Sequence, residues 1–299
     1  EDGYFYAFIS DGTSTEICFL VFALLTLAII FAGVRNGVER VSKFMMPILV
    51  FLSVLIAIYS VTRPGALAGV KYFLVPNPAN FSWMTVVAAM GQMFYSLSIA
   101  MGILVTFGSY MKKDVSIEDS TKNVEIFDTA IAIMAGLMII PAVFVFLGTD
   151  GMASGPSLTF LSLPKVFFAM GGIGRFVGLA FFFMLAFAAL TSCVSVMETL
   201  VANCMELFHK SRKSMCAVIG IYSLVTAVLI CLGYNVLYFE LPLPGGTTAQ
   251  LLDLMDYISN SFLMPFISLL TSILIGWIVG PKWITDEVTK NGDHFSRAR

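Results

Sequence analysis

The stretch Met90-Gly-Gln-Met-Phe-Tyr-Ser-Leu-Ser-Ile-Ala-Met-Gly102 lies within an apolar segment, 83–111, that is long enough to cross a bilayer. Small and hydroxylated residues cluster near the middle of this segment, where lipid offers polar groups no partner. A membrane helix can be interrupted at such a point, which frees backbone carbonyls for a cation and N–H groups for an anionic ligand. The alternative is a continuous helix whose small residues allow close helix packing.

The composition of the whole chain indicates a membrane protein. Hydrophobic residues make up 58% of the 299 residues, charged residues make up 12%, and the mean hydropathy is +0.90. A soluble domain carries about twice that charged fraction. The net charge of −2 is uninformative about nucleic acid, but the sequence has no basic stripe, so no nucleic-acid partner is expected. The two histidines, His209 and His294, lie in hydrophilic segments without a catalytic motif, so we do not expect an enzyme.

Seven segments are long and apolar enough to be membrane-spanning helices. We therefore predict an all-α polytopic membrane helix bundle, a single transmembrane domain over 1–299, whose third span is discontinuous. Thirteen of the 17 lysines and arginines follow the first, third, fifth and seventh spans. Since basic residues favour the cytoplasmic side, we expect a multi-pass cell-membrane protein with its N-terminus outside and its C-terminus in the cytoplasm. The predicted spans are 14–34, 44–62, 83–111, 124–148, 172–205, 214–236 and 250–280.

Polar residues inside the other spans are further candidates, since each is costly in lipid unless it is paired. Thr191 and Ser192 share a helix face with the carbonyl of Ala188, so their oxygens can converge on a hard cation. The alternative is that both hydroxyls bond to the preceding turn. Asp128 needs a cation, a proton or a strong donor, unless it lies at a helix N-terminus. Asp256 either caps the seventh span or belongs to a gate.

Several segments, taken in order, resemble one known family. They are Gly33-Val-Arg-Asn-Gly-Val-Glu-Arg-Val-Ser-Lys-Phe-Met-Met-Pro47, Gly91-Gln-Met-Phe-Tyr-Ser-Leu-Ser98, Gly108-Ser-Tyr-Met-Lys-Lys113, Ser157-Leu-Thr-Phe-Leu-Ser-Leu-Pro164 and Ala188-Ala-Leu-Thr-Ser192. These segments resemble the sequences of the bacterial branch of the neurotransmitter–sodium symporter family, which has the leucine-transporter fold of inverted repeats. The resemblance implies that the seven spans match the family's fourth to tenth, so the first three and the eleventh are expected to be missing from this chain.

The resemblance also implies roles for particular residues. Ser96 and Asp128 would be ligands of a first sodium ion, and Ala188, Thr191 and Ser192 would be ligands of a second. Asp128 falls where the family has an asparagine, near the chloride position of its animal members, so its carboxylate would replace chloride. The implied substrate-pocket residues are Tyr95, Leu97, Ser98, Met101, Ala189, Cys193 and Val196. The implied gate residues are Gln92 and Asp256 outside, and Ser109, Tyr110 and Glu206 inside.

The function expected from the resemblance is sodium-dependent symport of an amino acid, or a related small solute, by alternating access. Tyr95, Met101 and Val196 favour a hydrophobic or aromatic substrate. Sodium ions are the expected cofactors, chloride is not expected to be required, and the partners are the small-molecule substrate and the lipid bilayer. The alternative is a non-transporting, truncated remnant or structural membrane protein of the same fold, and a channel is a third class. The sequence predicts no oligomeric state.

Overall fold

The computed structural model describes residues 2–78, 81–148, 158–242 and 248–290, and most of them are helical. The α-helices are α1 (Asp2–Ser10), α2 (Gly12–Phe31), α3 (Arg40–Val61), α4 (Ala66–Leu74), α5 (Trp83–Ser96), α6 (Ile103–Ser109), α7 (Ile117–Leu147), α8 (Leu163–Ala169), α9 (Gly172–Phe208), α10 (Arg212–Leu232), α11 (Leu251–Asp256), α12 (Met264–Ile273) and α13 (Pro281–Thr289). Wider π-helical turns cover Val34–Glu39, Leu158–Ser162, Tyr257–Leu263 and Leu274–Val279. Two short strands, β1 (Leu241–Pro242) and β2 (Thr248–Ala249), pair antiparallel.

Six helices of the described part are long and apolar enough to cross a membrane. They are Gly12–Phe31, Gly37–Val61, Ile117–Val145, Gly172–Phe208, Arg212–Leu232 and Leu251–Val279. The remaining predicted span, 83–111, consists of the two shorter helices α5 and α6, separated by residues 97–102. The prediction of an all-α membrane bundle with one discontinuous span is therefore confirmed.

Local signals explain where the helices begin and end. α2 ends at Phe31 because Gly33 adopts a φ of 89°, which side chains disfavour, and a π-helical turn then leads into α3. α7 begins at Ile117, ahead of the apolar segment, because the Ser116 hydroxyl accepts the Asp119 N–H at 3.1 Å and so caps the helix. α11 begins where the Gln250 N–H donates to the Asp253 carboxylate at 3.2 Å, so Asp253 caps the start of this helix.

The chain divides into two compact units. Unit 1 comprises residues 1–80 and 130–239, and its core is formed by α3, α7, α8 and α9. Representative buried side chains of this core are Ile56, Val143, Val166 and Phe181. α2, α9 and α10 also pack against one another within unit 1.

Unit 2 comprises residues 81–129 and 240–299. It contains α5, α6, the first part of α7, the strand pair and α11 to α13. α5 packs against Tyr257–Leu263 and α12, so the broken span and the last span lie side by side. Few side chains of the last span are buried within the described residues, and those of Leu251–Asp256, Tyr257–Leu263 and Leu274–Val279 include none.

Candidate functional site

The interruption of the third span is built into its backbone. α5 starts on a Ser82 cap and stops at Ser96, and six residues then separate it from α6. Ser98 and Ala100 have φ values of 55° and 66°, and Gly102, the residue before α6, has 75°. The left-handed region disfavours side-chain-bearing residues by about 1–2 kcal/mol each, so two such positions close together are a strained arrangement. Strain of this kind clusters at functional sites, and this one lies in the middle of a membrane span.

A carboxylate meets the end of α5 at this break. The Ser96 hydroxyl donates a hydrogen bond of 2.5 Å to Oδ1 of Asp128. Asp128 lies about three turns into α7, so it is not at a helix terminus and that alternative does not apply. Ser96 retains its acceptor lone pairs while it donates, and the carboxylate has a second oxygen. The two side chains thus offer negatively charged and neutral oxygens to a hard cation.

The α9 cluster is built on an intact helix instead. The Thr191 hydroxyl donates to the carbonyls of Phe187 and Ala188, at 3.2 and 3.0 Å. The back-bonded arrangement considered as the alternative is therefore present. It also holds two predicted ligand oxygens, those of Thr191 and Ala188, 3.0 Å apart, as two ligands of one cation can be when each lies roughly 2.4 Å from it. Thr191 is buried, whereas the neighbouring Ser192 is exposed.

The other predicted residues of unit 2 lie on the broken span and on the last span. Tyr95 is half exposed at 52%, and Gln92 is exposed one turn before it. The remaining pocket residues of the break, Leu97, Ser98 and Met101, are half-buried. At the end of α6, the Ser109 hydroxyl donates to Thr106 O at 2.7 Å, and the Tyr110 ring meets Phe107 edge-on. Asp256 accepts a hydrogen bond from the Asn260 amide one turn later in its helix.

The other predicted residues of unit 1 form an exposed stripe along α9. Ala189, Ser192, Cys193 and Val196 lie on it, and Glu206 is exposed near the helix end. Part of Cys193 also lines an apolar cavity shared with α2 and α10. The structure thus brings together Ser96 with Asp128, and Thr191 with Ala188, each pair within its own unit.

Sequence reasoning missed one buried charged pair in unit 1. Glu198 of α9 has no exposed surface, and its two carboxylate oxygens accept from Nη1 and Nη2 of Arg212, at 2.8 and 2.5 Å. Nη2 of Arg212 also donates to the carbonyl of Ile30 at 3.0 Å. Three helices, α2, α9 and α10, are therefore joined through one guanidinium. A carboxylate inside an apolar segment was the available signal, since such a group needs a cation.

Comparison with known proteins gives the family. A profile of the sodium:neurotransmitter symporter family matches residues 9–294. An uncharacterized sodium-dependent transporter of Bacillus subtilis, YhdH, is 33% identical over 98% of this chain and 63% of its own length. A sodium- and chloride-dependent glycine transporter 2 of Xenopus laevis is 25% identical over 90% of this chain and 34% of its own length. This chain thus spans less than two-thirds of the length of either relative.

A solved structure supports the same assignment. The crystal structure of MhsT in complex with L-phenylalanine superposes with a TM-score of 0.84 at 34% sequence identity, covering 99% of this chain and 66% of that one. The similarity therefore extends over the broken span and α9 as well as the surrounding helices. With the profile matching nearly its whole length, this chain belongs to the sodium:neurotransmitter symporter family.

Proposed function

We propose that the protein containing this chain carries out sodium-dependent symport of an amino acid by alternating access. The observation that carries the proposal is the contact between Ser96 and Asp128 at the end of a broken membrane helix. Transporters bind coupling ions at such interruptions, where side-chain and backbone oxygens replace the water shell of the ion. Membership of a symporter family agrees with this chemistry.

In this proposal, Ser96 and Asp128 are ligands of the first sodium ion. A sodium ion in a medium of low dielectric needs a nearby negative charge, because the interaction between charges strengthens as water is removed. Asp128 supplies that charge from the protein, so chloride is not required. The glycine transporter of Xenopus laevis is named as chloride-dependent, and we attribute the difference to this built-in carboxylate.

The second sodium ion is assigned to α9. Its ligands are the Ala188 carbonyl and the hydroxyls of Thr191 and Ser192, which the helix periodicity brings to one face. The existing hydrogen bond between Thr191 and Ala188 supports this assignment, because the two oxygens need no large movement to accept one ion. Ser192 is exposed, so it is free to turn toward an ion.

The substrate is proposed to be a hydrophobic or aromatic amino acid. Tyr95, Leu97, Ser98 and Met101 would contribute from the break, with Ala189, Cys193 and Val196 contributing from α9. The complex of the structural neighbour with L-phenylalanine supports an aromatic substrate. Gln92 and Asp256 would close the outer side of the site. Ser109, Tyr110 and Glu206 would close the inner side.

The proposed orientation follows from the basic residues. The regions rich in lysine and arginine would face the cytoplasm, with the start of this chain outside and its end inside the cell. Bound sodium would shift the equilibrium between outward-open and inward-open states only through its different affinity for the two states. The inward sodium gradient would then drive the substrate into the cell.

Uptake by reconstituted protein tests the proposal. Proteoliposomes containing the protein would be offered a panel of radiolabelled amino acids, with and without a sodium gradient and with gluconate in place of chloride. We expect sodium-dependent uptake of an apolar amino acid that does not need chloride. Absence of both uptake and substrate binding would support the non-transporting alternative, whereas sodium current without substrate would indicate a channel.

The variant Asp128→Asn tests the role of the carboxylate. It removes the charge but keeps the shape, so uptake in gluconate should fall roughly tenfold or more, in line with the loss of a charge-assisted interaction. Chloride should restore part of that uptake. The matched control is Asp119→Asn on the same helix, far from the break, which should change neither property. Chloride-independent uptake that survives in the Asp128→Asn protein would overturn the assignment.

A further inference from the structure

A cavity lies among α2, α9 and α10 in unit 1. Its volume is about 140 Å³, and it is partly open to the outside. Small residues, Ala23, Cys193, Gly220 and Ala227, leave the space, and larger apolar side chains border it. Gly220 lies where an added Cβ would meet a Leu27 methyl at 2.9 Å, so the helices already approach closely beside the cavity. The cavity is therefore a feature of a packed three-helix contact.

The lining of the cavity offers a water molecule few hydrogen-bond partners. The Thr26 hydroxyl donates to Phe22 O at 3.0 Å, and the Ser223 hydroxyl donates to the sulfur of Met197 at 3.3 Å. Both hydroxyl protons are thus used within the protein. A cavity of about this size with apolar walls stays dry and accepts benzene or xenon, whereas a bound water needs two to four polar partners. The chemistry that fits the cavity is a small hydrocarbon.

The position of the cavity indicates which hydrocarbon is available. Its lining residues lie in the middle of α2 and α10, and both helices are long enough to cross a bilayer. The middle of a bilayer contains the ends of the lipid acyl chains. On the adjacent outer faces of the two helices, Leu24, Ile221 and Val225 are exposed, as lipid-facing side chains are.

We infer that this cavity is a binding site for the end of a lipid acyl chain. The chain end would enter between α2 and α10 and contact Cys193 of α9. The site uses only apolar contacts, so it needs no sodium. Cys193 is the one residue that it shares with the proposed substrate pocket, and acyl-chain binding does not depend on the transport function proposed above. The bound chain end would restore the van der Waals contacts that the lining side chains lack when the cavity is empty.

Photolabelling tests the inference. The protein would be reconstituted in liposomes that contain phosphatidylcholine with a diazirine at the end of one acyl chain, then irradiated in sodium-free buffer and digested. Mass spectrometry should locate label on the cavity lining, at Ala23, Cys193 or Ala227. The variant Ala227→Leu should reduce that label roughly tenfold, since a leucine side chain occupies the space.

The matched control is Ala217→Leu, an exposed position on the same helix, which should leave cavity labelling unchanged. Ala23→Leu fills the cavity from α2 if Ala227→Leu does not give folded protein. Label confined in the wild type to outer positions such as Ile221 and Val225 would overturn the site. Cavity labelling that persists in both filled variants would do the same. Hydroxyl-radical oxidation of Met197 at the rate of exposed methionines would show water in the cavity and also overturn the site.

Discussion

The broken span of unit 2 and α9 of unit 1 place similar oxygens in the membrane by opposite means. The span interrupts its helix at Ser96, enters the left-handed region at Ser98 and Ala100, and meets the carboxylate of Asp128. α9 runs for 37 residues as one α-helix, and its Thr191 oxygen lies against a carbonyl of the preceding turn. The broken span therefore contains backbone strain at Ser98 and Ala100, whereas α9 is continuous and carries the buried carboxylate of the Glu198–Arg212 ion pair. One candidate ion site therefore lies at a helix break with strained backbone conformations, and the other lies on a continuous helix that an ion pair joins to its neighbours.

The largest expected effect on stability comes from the Glu198–Arg212 ion pair, which joins α9 to α10. Glu198→Gln leaves the largely buried Arg212 guanidinium beside a neutral group, and we expect the free energy of unfolding to fall by up to about 3–5 kcal/mol. The pair is bidentate, its carboxylate is fully buried and the Arg212 side chain is 25% exposed, so solvent screens the pair only in part. The measurement is the free energy of unfolding in mixed detergent micelles.

A matched variant separates burial from charge. Glu39→Gln removes one partner of an exposed pair with Lys43 in the same unit, and it should cost less than about 0.5 kcal/mol. The double replacement Glu198→Met with Arg212→Met should cost less than Glu198→Gln alone, because no charge is then left unpaired. Equal destabilisation by Glu198→Gln and Glu39→Gln would show that the buried pair stabilises unit 1 no more than an exposed pair does.

The proposed sodium ligands of α9 can be removed without disturbing the Glu198–Arg212 ion pair. Thr191→Ala combined with Ser192→Ala removes two proposed ligands, and sodium affinity should fall roughly a hundredfold if each is worth about 1.5 kcal/mol. Fold should be kept, because within the described residues the Thr191 hydroxyl bonds only within its own helix. Binding of radioactive sodium to the purified protein measures the change.

The control for this double variant lies one turn further along α9. The Ser195 hydroxyl donates to Thr191 O at 2.9 Å and is not a proposed ligand. Ser195→Ala should therefore leave sodium affinity within about twofold of the wild type, an energy difference that solvent and packing changes readily produce. Sodium affinity that is the same in the wild type, the double variant and the control would refute the second-site assignment.

The interruption of the third span is easier to predict from the sequence than the ion pair between α9 and α10. Glycine, serine and glutamine inside an apolar segment are a local signal of an interruption. Only Gly102 among the left-handed residues of the break follows its own backbone preference, since Ser98 and Ala100 are strained there. The pairing of Glu198 with Arg212 depends on how α9 and α10 pack, which no local pattern records. In the sequence, Arg212 is one of the basic residues that follow the fifth span, and nothing local pairs it with Glu198. The π-helical turn at Val34–Glu39 is likewise not predicted from the sequence, and within it Gly37 packs so close to Ile29 O that an added Cβ would not fit.

The strain in the broken span gives a smaller, more local prediction. Gly102→Ala places a side chain at a φ of 75° and should destabilise the protein by about 1–2 kcal/mol, whereas Ala100→Gly should relieve a cost of the same kind. The control is Gly91→Ala in α5, where an added Cβ has no neighbour within 4 Å and helix propensity improves by about 0.5–1 kcal/mol. Unfolding free energies that shift in the same direction for Gly91→Ala and Gly102→Ala would contradict a left-handed break.

The smallest effect concerns how helices of the two units begin. The Thr13 N–H of α2 donates to the Asp11 carboxylate, and the Thr85 N–H of α5 donates to the Ser82 hydroxyl, both at 3.2 Å. The hydrogen bond from the Ser14 hydroxyl, with those from the backbone, holds the pKa of Asp11 below its usual value of 3.8. A carboxyl whose pKa is lowered by folding stabilises the folded helix above its unfolded pKa, and that contribution is lost as pH falls through the folded pKa.

Hydrogen exchange of the Thr13 amide should therefore lose protection as the pH is lowered below 3.8, while that of Thr85 should not. Asp11→Asn keeps a capping oxygen that does not titrate, so the pH dependence at Thr13 should disappear in that variant.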